Sequence, residues 1–237
     1  MTTFVCCHGA WGGGWGWRRV AKILRDNGHD VFTPTYTGQG ERSHLLHPDI
    51  DLDTHIADIR NVIKYERLDG FVLVGHSYGG MVVTGVADKE WQKIDQLIYL
   101  DAFLPKAGQS LSDLTGPERA EAAMEIVRTK GDGYKFPRPP GSISPILSAD
   151  DRAWIESLSG PQPIKTMTQP VRGENNHLNI KDKIYVLCTE NKNSNFHGFA
   201  AWTRTQPDWR TLELPTHHHL LQSMPQETAD ILMEKRI

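Results

Sequence analysis

The chain has 237 residues, a formal net charge of −3 and 38% hydrophobic residues, with a sequence pI near 6.4. That length suits one domain with a sizeable core, and the scattered Lys and Arg exclude the basic stripe of a nucleic-acid binder. No stretch approaches the roughly eighteen consecutive apolar residues of a membrane-crossing helix, so a small neutral or apolar molecule is the expected partner.

In chain order, Met1-Thr2-Thr3 runs straight into a strand over 3–7 and leaves no room for a secretion signal, so a soluble cytoplasmic protein is expected. A helix over 17–26, a strand over 30–34, a helix over 52–65, a strand over 71–74, a helix over 81–88 and a strand over 96–100 follow. Residues 105–180 break the pattern, because nine prolines interrupt short helical stretches over 117–129 and 149–158. Strands over 184–188 and 211–214 and a helix over 226–235 restore it. Such alternation predicts an α/β fold with a mostly parallel sheet of about six strands flanked by helices. The core is assigned to 1–104 and 181–237, and the proline-dense insertion 105–180 reads as a cap that shapes a pocket. Cys6, Cys7 and Cys188 are odd in number and fall in predicted buried strands, which predicts reduced thiols packed as small core residues.

The chemistry is concentrated at residues 71–80. Phe71-Val72-Leu73-Val74 is an apolar strand, Gly75-His76-Ser77-Tyr78-Gly79 is a G-x-S-x-G turn, and a helical stretch follows at once. A serine in such a strand-to-helix turn projects its oxygen above the sheet edge, provided that its neighbours lack bulky side chains. Ser77 is therefore the candidate nucleophile, and the backbone N–H of Tyr78, at the start of the helix, is a candidate oxyanion donor.

His8-Gly9-Ala10-Trp11 with Trp15, the stretch from Gly75 to Gly80, and Tyr99-Leu100-Asp101-Ala102-Phe103-Leu104-Pro105 together resemble a small α/β-hydrolase of the group that holds bacterial carboxylesterases, plant methylesterases and hydroxynitrile lyases. The resemblance covers nearly all of the chain except the cap. It implies that His8-Gly9-Ala10 is an oxyanion loop, with the N–H of Ala10 as the second donor beside that of Tyr78. The glycines agree with this, because Gly9 lets the chain turn close to Ser77.

In this fold the triad runs nucleophile, acid, histidine along the chain, which calls for a histidine near the end. Residues 217–219 are three histidines. In the family the catalytic one stands seven residues before the proline that opens the last helix; counted back from Pro225, this is His218. Consecutive residues point in different directions, so a metal site on this run is a poor reading and no metal or cofactor is expected. The acid has two candidates at strand ends, Asp101 and Glu190. Plant methylesterase relatives carry an aspartate where this chain has Asn191, and an amide cannot stabilise an imidazolium as a carboxylate does. Asp101 follows Ser77 by 24 residues, and some haloalkane dehalogenases place their acid at this strand end, so Asp101 is favoured over Glu190.

Trp11, Trp15, Tyr78, Phe103 and the cap residues Tyr134, Phe136 and Trp154 are the expected pocket wall, suited to a hydrophobic or aromatic ester. The predicted activity is serine-dependent cleavage of a small carboxylic or carbamate-type ester through an acyl-enzyme, with a homodimer allowed and no nucleic acid or membrane involved. Two rivals stay open. A hydroxynitrile lyase of the group has threonine after the loop histidine and lysine after the catalytic histidine, where this chain has Gly9 and His219. A non-catalytic ligand-binding member would suit the missing acid at Asn191.

Overall fold

The computed structural model describes residues 1–234. Six strands form one parallel sheet: β1 (Thr3–Cys7), β2 (Asp30–Phe32), β3 (Phe71–His76), β4 (Ile94–Leu100), β7 (Asp182–Cys188) and β8 (Trp209–Leu214), in the order β2-β1-β3-β4-β7-β8. The inner strands carry near-continuous apolar runs, Phe4–Cys7, Phe71–Val74, Leu97–Leu100 and Ile184–Cys188, because both faces of the sheet are covered there, whereas the edge strand β8 carries Arg210, Thr211 and Glu213. Alternate residues go to opposite sides, so Cys7, Leu73, Tyr99 and Tyr185 face one core while Cys6, Val74, Ile98 and Val186 face the other.

The first core is completed by α2 (Leu52–Tyr65), α3 (Gly79–Glu90) and α8 (Ser194–Thr203), and the second by α1 (Arg18–Asp26), α9 (Leu220–Ser223) and α10 (Pro225–Met233). Helix α2 begins where the sequence predicts, at a capping box in which the Asp51 carboxylate accepts from the N–H of Thr54. Helix α8 escapes the periodicity argument because its apolar residues lie all round it; the Asn193 side chain opens it by accepting from the N–H of Asn195. Strand β2 stops at Phe32 rather than at the predicted residue 34, since Pro34 has no N–H for a ladder. The last predicted helix covers 226–235; residue 235 lies outside the described residues.

Residues 105–180 carry α4 (Leu111–Thr115), α5 (Pro117–Lys130), α6 (Ala149–Leu158), α7 (Lys165–Thr168) and an antiparallel pair of β5 (Lys135–Phe136) with β6 (Gln162–Pro163), a hairpin closed not by a tight turn but by a long connection that carries α6. Leu111, Val127, Phe136, Ile164 and Met167 from this segment extend the first core. Among the described residues, no helix is long and apolar enough to cross a membrane.

All three cysteines are free and fully buried. Burial holds Cys6 and Cys188 far up in the thiol form and pushes Cys7 up to about 12. A thiol titration at pH 8 should therefore find almost no reactive cysteine in the native protein and three in guanidinium chloride; a fast native equivalent would show that one of these strands opens readily.

Candidate active site

Because every strand of the main sheet runs the same way, the loops after β1, β3, β4, β7 and β8 meet at one edge, and the side chains of interest lie there. Ser77 follows β3 with φ of +56°, a left-handed conformation that is costly for serine and that lifts its side chain out of the turn. The turn is locked by bonds from the N–H groups of Gly80 and Phe103 to the Ser77 carbonyl, at 3.0 and 3.1 Å. A side chain at Gly79 would meet the Cys7 carbonyl oxygen at 2.7 Å, and one at Gly9 would press on Cβ of Ser77 at 3.0 Å. These two glycines let the loop after β1 and the start of α3 close around the serine.

His218 stands on the loop after β8. Its Nε2 is 2.8 Å from Oγ of Ser77 and its Nδ1 is 2.6 Å from Oδ2 of Asp101. The carboxylate can only accept, so Nδ1 carries the proton and Nε2 is free to accept from the serine hydroxyl. Phe196 of α8 stacks on the imidazole at 5.1 Å and 10° between planes, and His76 donates from Nε2 to the His218 carbonyl at 2.9 Å.

Asp101, one residue past β4, is fully buried. Its Oδ1 accepts from the N–H of Cys188 at 3.0 Å, and its Oδ2 accepts from Nδ2 of Asn191 at 2.5 Å as well as from His218. The amide of Asn191 is oriented by its own Oδ1, which accepts from the N–H of Asn193 at 3.1 Å. Asn191 is thus a donor to the Asp101 carboxylate. Glu190 is not brought to His218: its carboxylate is half exposed and pairs with His217 at 3.2 Å. The three consecutive histidines reach Glu190, Asp101 with Ser77, and the wall of a cavity, respectively.

Two cavities flank Ser77 and share Ala10, Trp11 and the serine itself. The larger, about 320 Å³, is apolar and is lined by Phe103, Leu111, Ile126, Phe136 and Met167 together with Tyr78. The smaller, about 150 Å³, holds His218, His219, Trp15, Arg138 and Gln222. Tyr134 and Trp154, predicted as pocket residues, line neither cavity: Tyr134 lies under the Lys135 ammonium, and Trp154 packs edge-on against Trp15 at 5.1 Å. Arg138 was not anticipated; a cation in a proline-rich stretch reads as a solvated charge unless its surroundings are known.

Trp11 ties the loop after β1 to the β5–β6 hairpin. Its N–H donates to Oε1 of Gln162 at 3.2 Å, its Nε1 donates to the Phe136 carbonyl at 2.9 Å, and its carbonyl accepts from the N–H of Gly160 at 3.2 Å.

Two buried histidines brace the backbone around the site, and His8 also lines the smaller cavity. His8 donates from Nδ1 to the Gly9 carbonyl at 2.8 Å and accepts the N–H of Tyr36 at Nε2. His55 donates from Nε2 to the Thr37 carbonyl, which leaves Nδ1 to accept the Tyr78 hydroxyl at 2.9 Å. Both arrangements require a neutral ring, and burial lowers each histidine to about 3.

The chain matches the model of the "Alpha/beta hydrolase family" over residues 4–231. It is 39% identical over 240 residues to a carbendazim hydrolyzing esterase from a Nocardioides species, covering 98% of each chain. Methyl jasmonate esterase 1 from Vitis vinifera is 30% identical over 208 residues, or 78% of this chain and 77% of that one. Among solved structures, an extracellular alpha/beta-hydrolase from a Paenibacillus species superposes with a TM-score of 0.85 at 23% identity, covering 98% of both chains. The chain belongs to the alpha/beta hydrolase family.

The neutral histidines set an acid limit on the fold. An unfolded imidazole titrates near 6.5 while these fold at about 3, so their contribution to stability is complete above about pH 6.5 and is lost as the pH falls toward 3. Urea unfolding should weaken steadily from pH 7 to pH 4. In His55→Gln the slope of stability against pH near 5 should correspond to about one proton fewer taken up on unfolding; an unchanged slope would mean that His55 is already charged in the fold.

Proposed function

We propose that this carboxylic ester hydrolase works through Ser77 as nucleophile, His218 as general base and Asp101 as the acid that orients and stabilises the imidazolium. The observation that carries the reading is the unbroken chain from Oγ of Ser77 through both nitrogens of His218 to Asp101, at 2.8 and 2.6 Å. His218 takes the serine proton as Oγ attacks the ester carbonyl. The N–H groups of Ala10 and Tyr78 receive the oxyanion, the former fixed by the His8–Gly9 loop and the latter by the His55–Tyr78 bond. His218 then returns the proton to the leaving alcohol, and water repeats the sequence on the acyl-enzyme. Asn191 and the N–H of Cys188 hold the carboxylate in the orientation that His218 needs.

The apolar cavity beside Ser77 favours a hydrophobic or aromatic acyl group, under an insertion over 105–180 that acts as the cap. Trp11, Phe103 and Phe136 are the aromatic contacts on that side, and Trp15 on the other. The relative named for carbendazim hydrolysis, alike over nearly the whole of both chains, makes carbendazim the first substrate to try. Gly9 and His219, where hydroxynitrile lyases of the group have threonine and lysine, count against the lyase reading.

Ser77→Ala should fold normally and lose at least about a thousandfold in kcat on p-nitrophenyl butanoate. Full turnover in that variant would end the serine mechanism. Asp101→Asn should cost about two to four orders of magnitude in kcat with little change in KM, while Glu190→Gln stays near wild type. The reverse pattern would move the acid to Glu190. Asn191→Ala removes a hydrogen bond to a buried charge, worth about 1.5–3 kcal/mol, and should lower kcat by at least about tenfold; a silent substitution would reduce Asn191 to a filler of the vacated acid site.

A further inference from the structure

The smaller cavity has a wall that the ester-hydrolase chemistry does not use. Arg138 lines it and, among the described residues, meets no carboxylate and no hydrogen-bond acceptor; its guanidinium lies over the Trp11 ring at 5.5 Å, with Nε shielded from solvent and unbonded. Two more buried polar atoms of the same wall, Nε1 of Trp15 and Nδ1 of His219, also lack a partner. The lining contains no Asp or Glu. A half-buried cation without a counter-charge, in a cavity that it shares with an indole that can only donate, gains a partner when an anion binds.

The halves of an ester can be assigned to the two cavities, on the reading of Ser77 and His218 given above. The leaving oxygen must lie against Nε2 of His218, and His218 lines the smaller cavity but not the larger one. The acyl half then enters the apolar cavity, which both oxyanion residues line. We propose that the alcohol half of the preferred substrate carries a carboxylate, bound by Arg138 with help from Trp15, so that Arg138 sets the specificity of the enzyme. Burial draws Arg138 down to about 10, so the guanidinium is still charged at neutral pH and gains most from a ligand that restores a partner.

The test compares carboxymethyl butanoate with its neutral isostere carbamoylmethyl butanoate, followed by pH-stat titration. In each protein the ratio of kcat/KM for the two esters is read, so intrinsic reactivity and any general packing loss cancel between wild type and variant. The charged ester should be favoured by wild type, and Arg138→Gln should lower the ratio by at least about tenfold, with Arg138→Lys between them. A ratio unchanged within twofold would overturn the proposal and leave Arg138 a packing partner of Trp11. Preference for monomethyl succinate over methyl succinamate, with no preference in the first pair, would overturn it too by placing the anion on the acyl half. A wild type that cleaves no ester would defeat the esterase reading alone. The anion site is then read by calorimetry on Ser77→Ala with 4-oxoheptanoate, the non-hydrolysable analogue, against 4-oxoheptanamide: tighter binding of the acid that disappears in Ser77→Ala/Arg138→Gln supports the site, and equal binding of acid and amide refutes it.

Discussion

The site depends on keeping one negative charge inside the protein. A carboxylate without contact with water costs several kcal/mol unless its oxygens are fully bonded, and Asp101 meets this condition with three donors that come from different parts of the chain. The Cys188 N–H lies at the end of β7, Asn191 on the loop just past it, and His218 on the loop after β8. Their convergence follows from the parallel register β4-β7-β8, in which Leu100 sits beside Val186 and Cys188 beside Leu214. A slip of one residue between β4 and β7 would displace the Cys188 and Asn191 donors, and one between β7 and β8 would displace His218. The same ladder that builds the sheet therefore gathers the donors around Asp101.

On the other side of Ser77 the constraint is steric rather than electrostatic. The loop after β1 has to pass within contact distance of the serine turn, and the glycines at 9 and 79 are what allow it. Neutral histidines then fix the two backbone segments, His8 within the loop and His55 behind Tyr78. Their burial serves the same end as the glycines, since a ring that cannot charge keeps one tautomer and one set of bonds.

How much of this could be read from the residues alone follows the range of each interaction. The turn around Ser77 is legible because its cause is local: a β-branched run, two glycines and a helix in immediate succession. His218 required a count against a family pattern, because its three-histidine run has no local feature that separates one ring from its neighbours. Asp101 emerged from what is missing at Asn191, yet the bond between those two side chains joins residues that are 90 apart in sequence. Tyr134 and Trp154 were misplaced for a related reason. In a segment broken by prolines no period tells which face a side chain presents, and aromatic character alone does not decide between a cavity and a neighbouring ring. Arg138 was invisible on the same grounds.

The bonds that tie Trp11 to the β5–β6 hairpin couple two parts of the molecule that have separate tasks. The residue beside Trp11 is Ala10, which borders both cavities, while the hairpin belongs to the insertion roofing them. Lifting the hairpin would break these three bonds or drag the loop along with it. Displacement of the β5–β6 pair would thus be transmitted to Ala10 and the loop beside Ser77, which makes the roof and the floor of both cavities one mechanical unit.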